Sequence, residues 1–115
     1  MRTSIRIALD LVLVVVFAII GRASHGEALT LGGILVTGWP FLVGCLVGSL
    51  IAGMLRLPWL HEGLLVWLTT VVLGMFLRAI TGGGMALGFL IVATVVLAVL
   101  LIGWRMLAAL ARRRA

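Results

Sequence analysis

The chain has no lysine, a single cysteine and only three acidic residues among 115. Each shortage closes off a class of function. Cys45 is alone, which excludes an internal disulfide and a cysteine-based metal site, and its place inside an apolar block makes it a small packing residue. No HExxH, no tetrad of metal ligands and no Ser/His/Asp grouping is present, so no metal or other cofactor is expected and the chain does not read as an enzyme. Nine arginines against Asp10, Glu27 and Glu62 give a net charge of +6. Those arginines flank apolar stretches and lack the interleaved polar surface of a groove-binding face, so nucleic acid is not an expected partner.

What the chain has in abundance is apolar residues, 64% of the total, with a mean hydropathy of +1.39. Soluble domains sit near 45–50%, so the solvent for this surface has to be lipid. The apolar residues fall into four blocks. They predict an all-α integral membrane four-helix bundle, one domain spanning 1–115, with helices over about 5–21, 29–55, 61–78 and 84–107. The first block, at roughly 25 Å of helix, is just long enough to cross. It also has the basic start and apolar core of a cleaved signal peptide, but Arg22 stands in the cleavage region and removal would leave three spans with opposed termini. In the second block Pro40 has no N–H for the carbonyl four residues back, which predicts a kink or local unwinding around Val36 to Trp39.

Arginine placement orients the bundle. With four spans, both termini and the 56–62 loop share one side, carrying Arg2, Arg6, Arg56, Arg105, Arg112, Arg113 and Arg114, while the other side has Arg22 and Arg78. Cytoplasmic segments keep positive charge, so both termini are expected in the cytoplasm, with the terminal arginines against anionic headgroups.

Small residues mark where helices can approach in lipid. The second helix has Gly44, Gly48 and Ala52, and beside them Cys45, Ser49 and Gly53; the third has a mixed row of Gly63, Trp67, Thr70, Gly74, Arg78 and Thr81. Shifting the chain by 56 residues superposes nine identities in 29 positions, among them Arg22 on Arg78, Ala23 on Ala79, Gly26 on Gly82 and Leu31 on Leu87. This suggests two parallel helical-hairpin repeats.

Within that frame Arg22 and Arg78 are the sharpest candidates for a site. Both end an odd-numbered helix on the outer side, where positive charge is disfavoured. Converging guanidiniums would make a forked site for a carboxylate, phosphate or similar anion, the alternative being that each snorkels to the headgroups. His25, Thr37, Trp39 and Thr81 complete the expected ligand-binding set. Asp10 lies inside the first helix at a cost of a few kcal/mol unless paired or hydrated. Arg6, one turn earlier, is the expected partner, and ion coupling is the functional alternative for Asp10. His61 and Glu62 are expected to cap and charge the start of the third helix.

The combination of Asp10, Phe17, Gly21-Arg22, Ser24-His25, Thr37, Trp39-Pro40-Phe41 and Gly44 resembles a family of small prokaryotic membrane proteins known as domain of unknown function 3054. The likeness covers nearly the whole chain and is most specific from Asp10 to Phe41. It implies a single four-span domain in the cytoplasmic (inner) membrane of a prokaryote and supplies no activity. The expectation from the residues is a multi-pass protein, oligomeric or bound to a membrane-protein partner, that binds or transports a small anionic solute through an outer-side site. The competing expectation is a structural or accessory subunit of a larger complex. An intramembrane enzyme ranks below both unless Asp10 is brought near Glu62.

Overall fold

Inside a bilayer every backbone N–H and C=O must be satisfied within the protein, and a lone apolar run can do that only as a helix. A computed structural model of the chain, describing residues 2–114, has that architecture. Helix α1 is Thr3–Ser24, α2 is Leu31–Leu55 and α3 is Trp59–Ile80. The fourth span comprises α4 at Leu87–Leu97, a π-helical turn at Ala98–Ile102, and α5 at Gly103–Arg114. All four spans are long and apolar enough to cross a membrane. The protein is a multi-pass membrane protein, helical in all its regular elements among the described residues.

Helix ends differ from the predicted limits for local reasons. Thr30 caps α2, its Oγ1 accepting from the Gly33 N–H at 3.0 Å, so the helix starts at Leu31. The arginine-rich tail continues as helix to Arg114 because Ala, Leu and Arg are among the best helix formers. Pro40 is accommodated inside α2, which stays α-helical from Leu31 to Leu55, so of the expected kink or local unwinding around Val36 to Trp39 the unwinding does not occur. Its ring lies buried, where neighbouring helices support the segment.

The 56-residue periodicity is visible in the backbone. Helices α1 and α3 are both 22 residues long, and their ends, with the start of α2 and α4, are offset by that spacing. The two outer turns are also alike. Gly26 (φ 68°) and Gly82 (φ 89°) take the left-handed conformation. In each turn the next residue donates its N–H to an arginine carbonyl five residues back: Glu27 to Arg22 at 2.9 Å, Gly83 to Arg78 at 2.8 Å. Both helices therefore end in a Schellman motif that fixes an arginine at the equivalent position.

The core is apolar and close-packed. Phe17, Phe41 and Phe89 form a triangle with ring centroids 5.1, 6.1 and 5.9 Å apart, and Gly74 leaves the space that the Phe41 ring fills. Gly44 brings α2 against the α3 backbone; a Cβ there would lie 2.8 Å from the Thr69 carbonyl oxygen. Gly48, Ala52, Cys45 and Ser49 are buried on the same side, whereas Gly53 faces open space. On the outside, Val12, Leu50, Leu68, Val72, Ile91 and Val99 are exposed and form the lipid-facing surface.

The fourth span buries Phe89, Ala93, Leu97, Leu101 and Arg105, a strict four-residue spacing. A regular α-helix drifts about 40° with each such step, so Arg105 would stand about 160° away from Phe89. The wider π turn between Leu97 and Gly103 takes up part of that drift and returns Arg105 to the interior.

Candidate functional site

At the end of the bundle opposite the termini, Arg22, Glu27, Val36, Thr37, Trp39, Pro40, Arg78, Thr81 and Gly83 line a cavity of about 270 Å³. Five of the six residues expected to bind a ligand are here. The sixth, His25, caps α1 as an exposed residue and is not among those lining the cavity. Among the described residues, Glu27 is the one charged lining residue outside the expected set, beside Val36, Pro40 and Gly83; it follows the Gly26 turn closely enough to fold back over Arg22.

The two arginines are held differently. Arg22 donates through Nε to the Ala28 carbonyl at 2.8 Å and through Nη1 to Thr37 Oγ1 at 3.1 Å. Its Nη1 also pairs with Glu27 Oε2 at 3.2 Å. Gly33 makes room for it, since a Cβ there would come within 2.6 Å of Arg22 Cζ. Arg78 stacks its guanidinium carbon 3.9 Å from the Phe89 ring centroid, and its buried Nε has no hydrogen-bond partner among the described residues. No carboxylate among those residues is within ion-pair distance of Arg78. Gly83 admits the Arg78 stem; a Cβ there would stand 2.6 Å from Cγ. The cavity thus has two guanidiniums from equivalent turns, one acid, and the aromatic triangle beside Arg78.

A second polar cluster lies at the other end. Arg105, fully buried, makes two parallel bonds to Asp10: Nη1 to Oδ1 at 2.9 Å and Nη2 to Oδ2 at 2.7 Å. Nη2 also reaches Glu62 Oε1 at 2.9 Å, and Trp104 Nε1 donates to Asp10 Oδ1 at 2.9 Å. Arg6 pairs with Glu62 through Nε at 3.0 Å. The expected Arg6 partner for Asp10 is therefore replaced by Arg105, and Arg6 serves Glu62 instead. The physical reason is geometric: the planar fork of Arg105 satisfies both carboxylate oxygens at once, inside the protein. Gly63 admits this side chain, since a Cβ would come within 2.6 Å of Arg105 Cδ.

The cluster joins the start of α1, the start of α3 and α5, so both termini and the 56–58 loop share one end of the bundle. Asp10 and Glu62 do meet, but as acceptors on one guanidinium. Ion coupling through Asp10 would require this pair to open. Among the described residues no three His, Cys, Asp or Glu side chains gather where a metal could be held.

The family model described as Protein of unknown function (DUF3054) matches residues 7–108. No curated protein and no solved structure matches the chain.

Proposed function

The chain belongs to the DUF3054 family of proteins of unknown function, and on that premise we propose, from geometry, that it binds a small anionic solute between Arg22 and Arg78 as a step in moving it across the membrane. Arg78 is the observation that carries this reading. A cation partly withdrawn from water costs several kcal/mol when nothing pairs with it. Stacking on an aromatic face returns about 0.5–2 kcal/mol. The remaining deficit is what a bound anion would offset, and Arg78 is among the residues that line the cavity.

Charge sets the class of solute. Two arginines against Glu27 leave one net positive charge in the cavity, which suits a monoanion such as a small carboxylate better than a doubly charged oxyanion. Thr37 and Thr81 add hydroxyls, and Trp39 and Val36 an apolar wall. The Asp10–Arg105–Glu62–Arg6 cluster ties the helices together at the opposite end, which would leave the cavity accessible from one side, as alternating access requires of one of its states. With the termini cytoplasmic, the site faces outward.

Thermal stability of the detergent-purified protein against chloride, nitrate, acetate, lactate, phosphate and sulfate tests the proposal. A ligand that binds only the folded state raises its melting temperature by mass action. Stabilisation by the monoanions, lost in Arg22→Ala and in Arg78→Ala, is expected. A flat response from a well-folded wild type would overturn it and favour the accessory-subunit reading.

A further inference from the structure

We infer that the end of the bundle bearing the termini holds an anionic phospholipid, one acyl chain lying in a groove along α5 and its headgroup on Arg113. The groove is open and almost wholly apolar, about 770 Å³, with walls from α5, the π turn, Leu13 of α1 and Leu60 of α3. Met106, Leu107 and Leu110 line it and are 59%, 70% and 49% exposed. Among the described residues, Arg113 is the only charged side chain lining it.

Length and charge select the occupant. From Val99 to Arg113 the groove follows about 21 Å of helix, enough to run the ~15 Å hydrocarbon depth of one leaflet and reach its headgroups. Burial of the chain there is favourable only relative to water, so against other lipids the discrimination must come from the headgroup. That end of the bundle is strongly positive. Asp10 and Glu62 are committed to buried ion pairs and Glu27 lies at the other end, whereas Arg2, Arg56, Arg112, Arg113 and Arg114 are exposed. Arg112 is drawn over the Trp59 ring at 5.1 Å, which leaves Arg113 as the cation at the mouth of the groove. A headgroup with a net negative charge on an acyl-chain anchor matches that arrangement, whereas a zwitterionic headgroup brings the same phosphate with a cation that the surrounding arginines repel.

The test is native mass spectrometry of the delipidated full chain, titrated with phosphatidylglycerol and with phosphatidylcholine of identical acyl chains. One phosphatidylglycerol should be retained with a roughly fivefold preference, the attraction of one arginine for an anionic headgroup. Arg113→Gln should bring that ratio close to one, while Arg114→Gln, outside the groove, should leave it. Gly103→Leu fills the groove where a Cβ meets nothing within 4 Å, so it should weaken retention of both lipids without disturbing the fold. Soluble glycerol phosphate should not compete. Equal retention of the two lipids by the wild type, an equal loss in Arg113→Gln and Arg114→Gln, or a groove closed by a second copy with no lipid retained would each overturn the inference.

Discussion

Arg105 and Asp10, 95 residues apart in sequence, face each other through two parallel hydrogen bonds of 2.9 and 2.7 Å in the buried end of the bundle. The pair ties the first helix to the last, and Glu62 brings in the third. Removing Arg105 leaves Asp10 buried without a cation, which costs about 3–5 kcal/mol, and removing Asp10 leaves Arg105 with Glu62 as its one carboxylate partner among the described residues, whereas replacing both with apolar residues of similar volume is often neutral. Asp10→Ala and Arg105→Ala should therefore each lower stability sharply. The double variant Asp10→Leu/Arg105→Met should recover most of the loss. Unfolding in graded SDS, followed by circular dichroism, reads all three. Single variants as stable as the wild type would mean that the cluster does not hold the helices together.

Packing of α2 on α3 gives a sharper steric prediction. At Gly44 a methyl group would sit 2.8 Å from the Thr69 carbonyl oxygen and 2.9 Å from Thr70 Cα, both backbone atoms that cannot swing aside. Gly44→Ala should cost about 1–3 kcal/mol. Gly53, in the parallel row of small residues, meets nothing, so Gly53→Ala should stay within about 0.5 kcal/mol of the wild type or gain slightly from helix propensity. The same SDS titration separates the two.

The contrast between those glycines bears on what the sequence made legible. Apolar length and glycine-punctuated turns were enough for four spans, and the match of Arg22-Ala23 and Gly26 to Arg78-Ala79 and Gly82 pointed to two equivalent turns and one arginine cavity. Arg105 was not legible in this way. Counted at 100° per residue it falls off the buried face, and it looks like one more of the terminal arginines; only the π turn, which has no strong sequence signature, carries it inward. Depth offered the available clue. Asp10 is buried about two turns into α1, and such a carboxylate needs a cation at matching depth on some helix. Gly53 stands open within the single chain for a related reason: a small-residue row says that a close approach is permitted and not which neighbour takes it.

Ion pairing also sharpens the topology. Arg6 and Arg105 are neutralised internally, yet the end with the termini keeps Arg2, Arg56, Arg112, Arg113 and Arg114 exposed, while Arg22 and Arg78 at the other end are half-buried. The charge that would have to be translocated is therefore concentrated at one end. A green fluorescent protein fused after the arginine tail should fluoresce, and alkaline phosphatase at the same place should be inactive. The reverse pattern would put the Arg22–Arg78 cavity on the cytoplasmic side.

Glu27 gives the prediction that bears most directly on the proposed site. Its carboxylate lies 3.2 Å from Arg22 Nη1 and is half exposed, so it occupies the position on Arg22 that an anionic solute would need. Exposed pairs of this kind are worth about 0.2–1 kcal/mol, small enough for a ligand to displace. Glu27→Gln removes the competitor and raises the cavity charge, so anion affinity should rise, by up to about fivefold. Loss of a structural strut would instead lower melting temperature in the absence of any anion. Isothermal titration with acetate or lactate, beside anion-free melting curves, distinguishes the two. Unchanged affinity in a stable Glu27→Gln protein would mean that the solute does not contact Arg22, and the site would then have to be rebuilt around Arg78 alone.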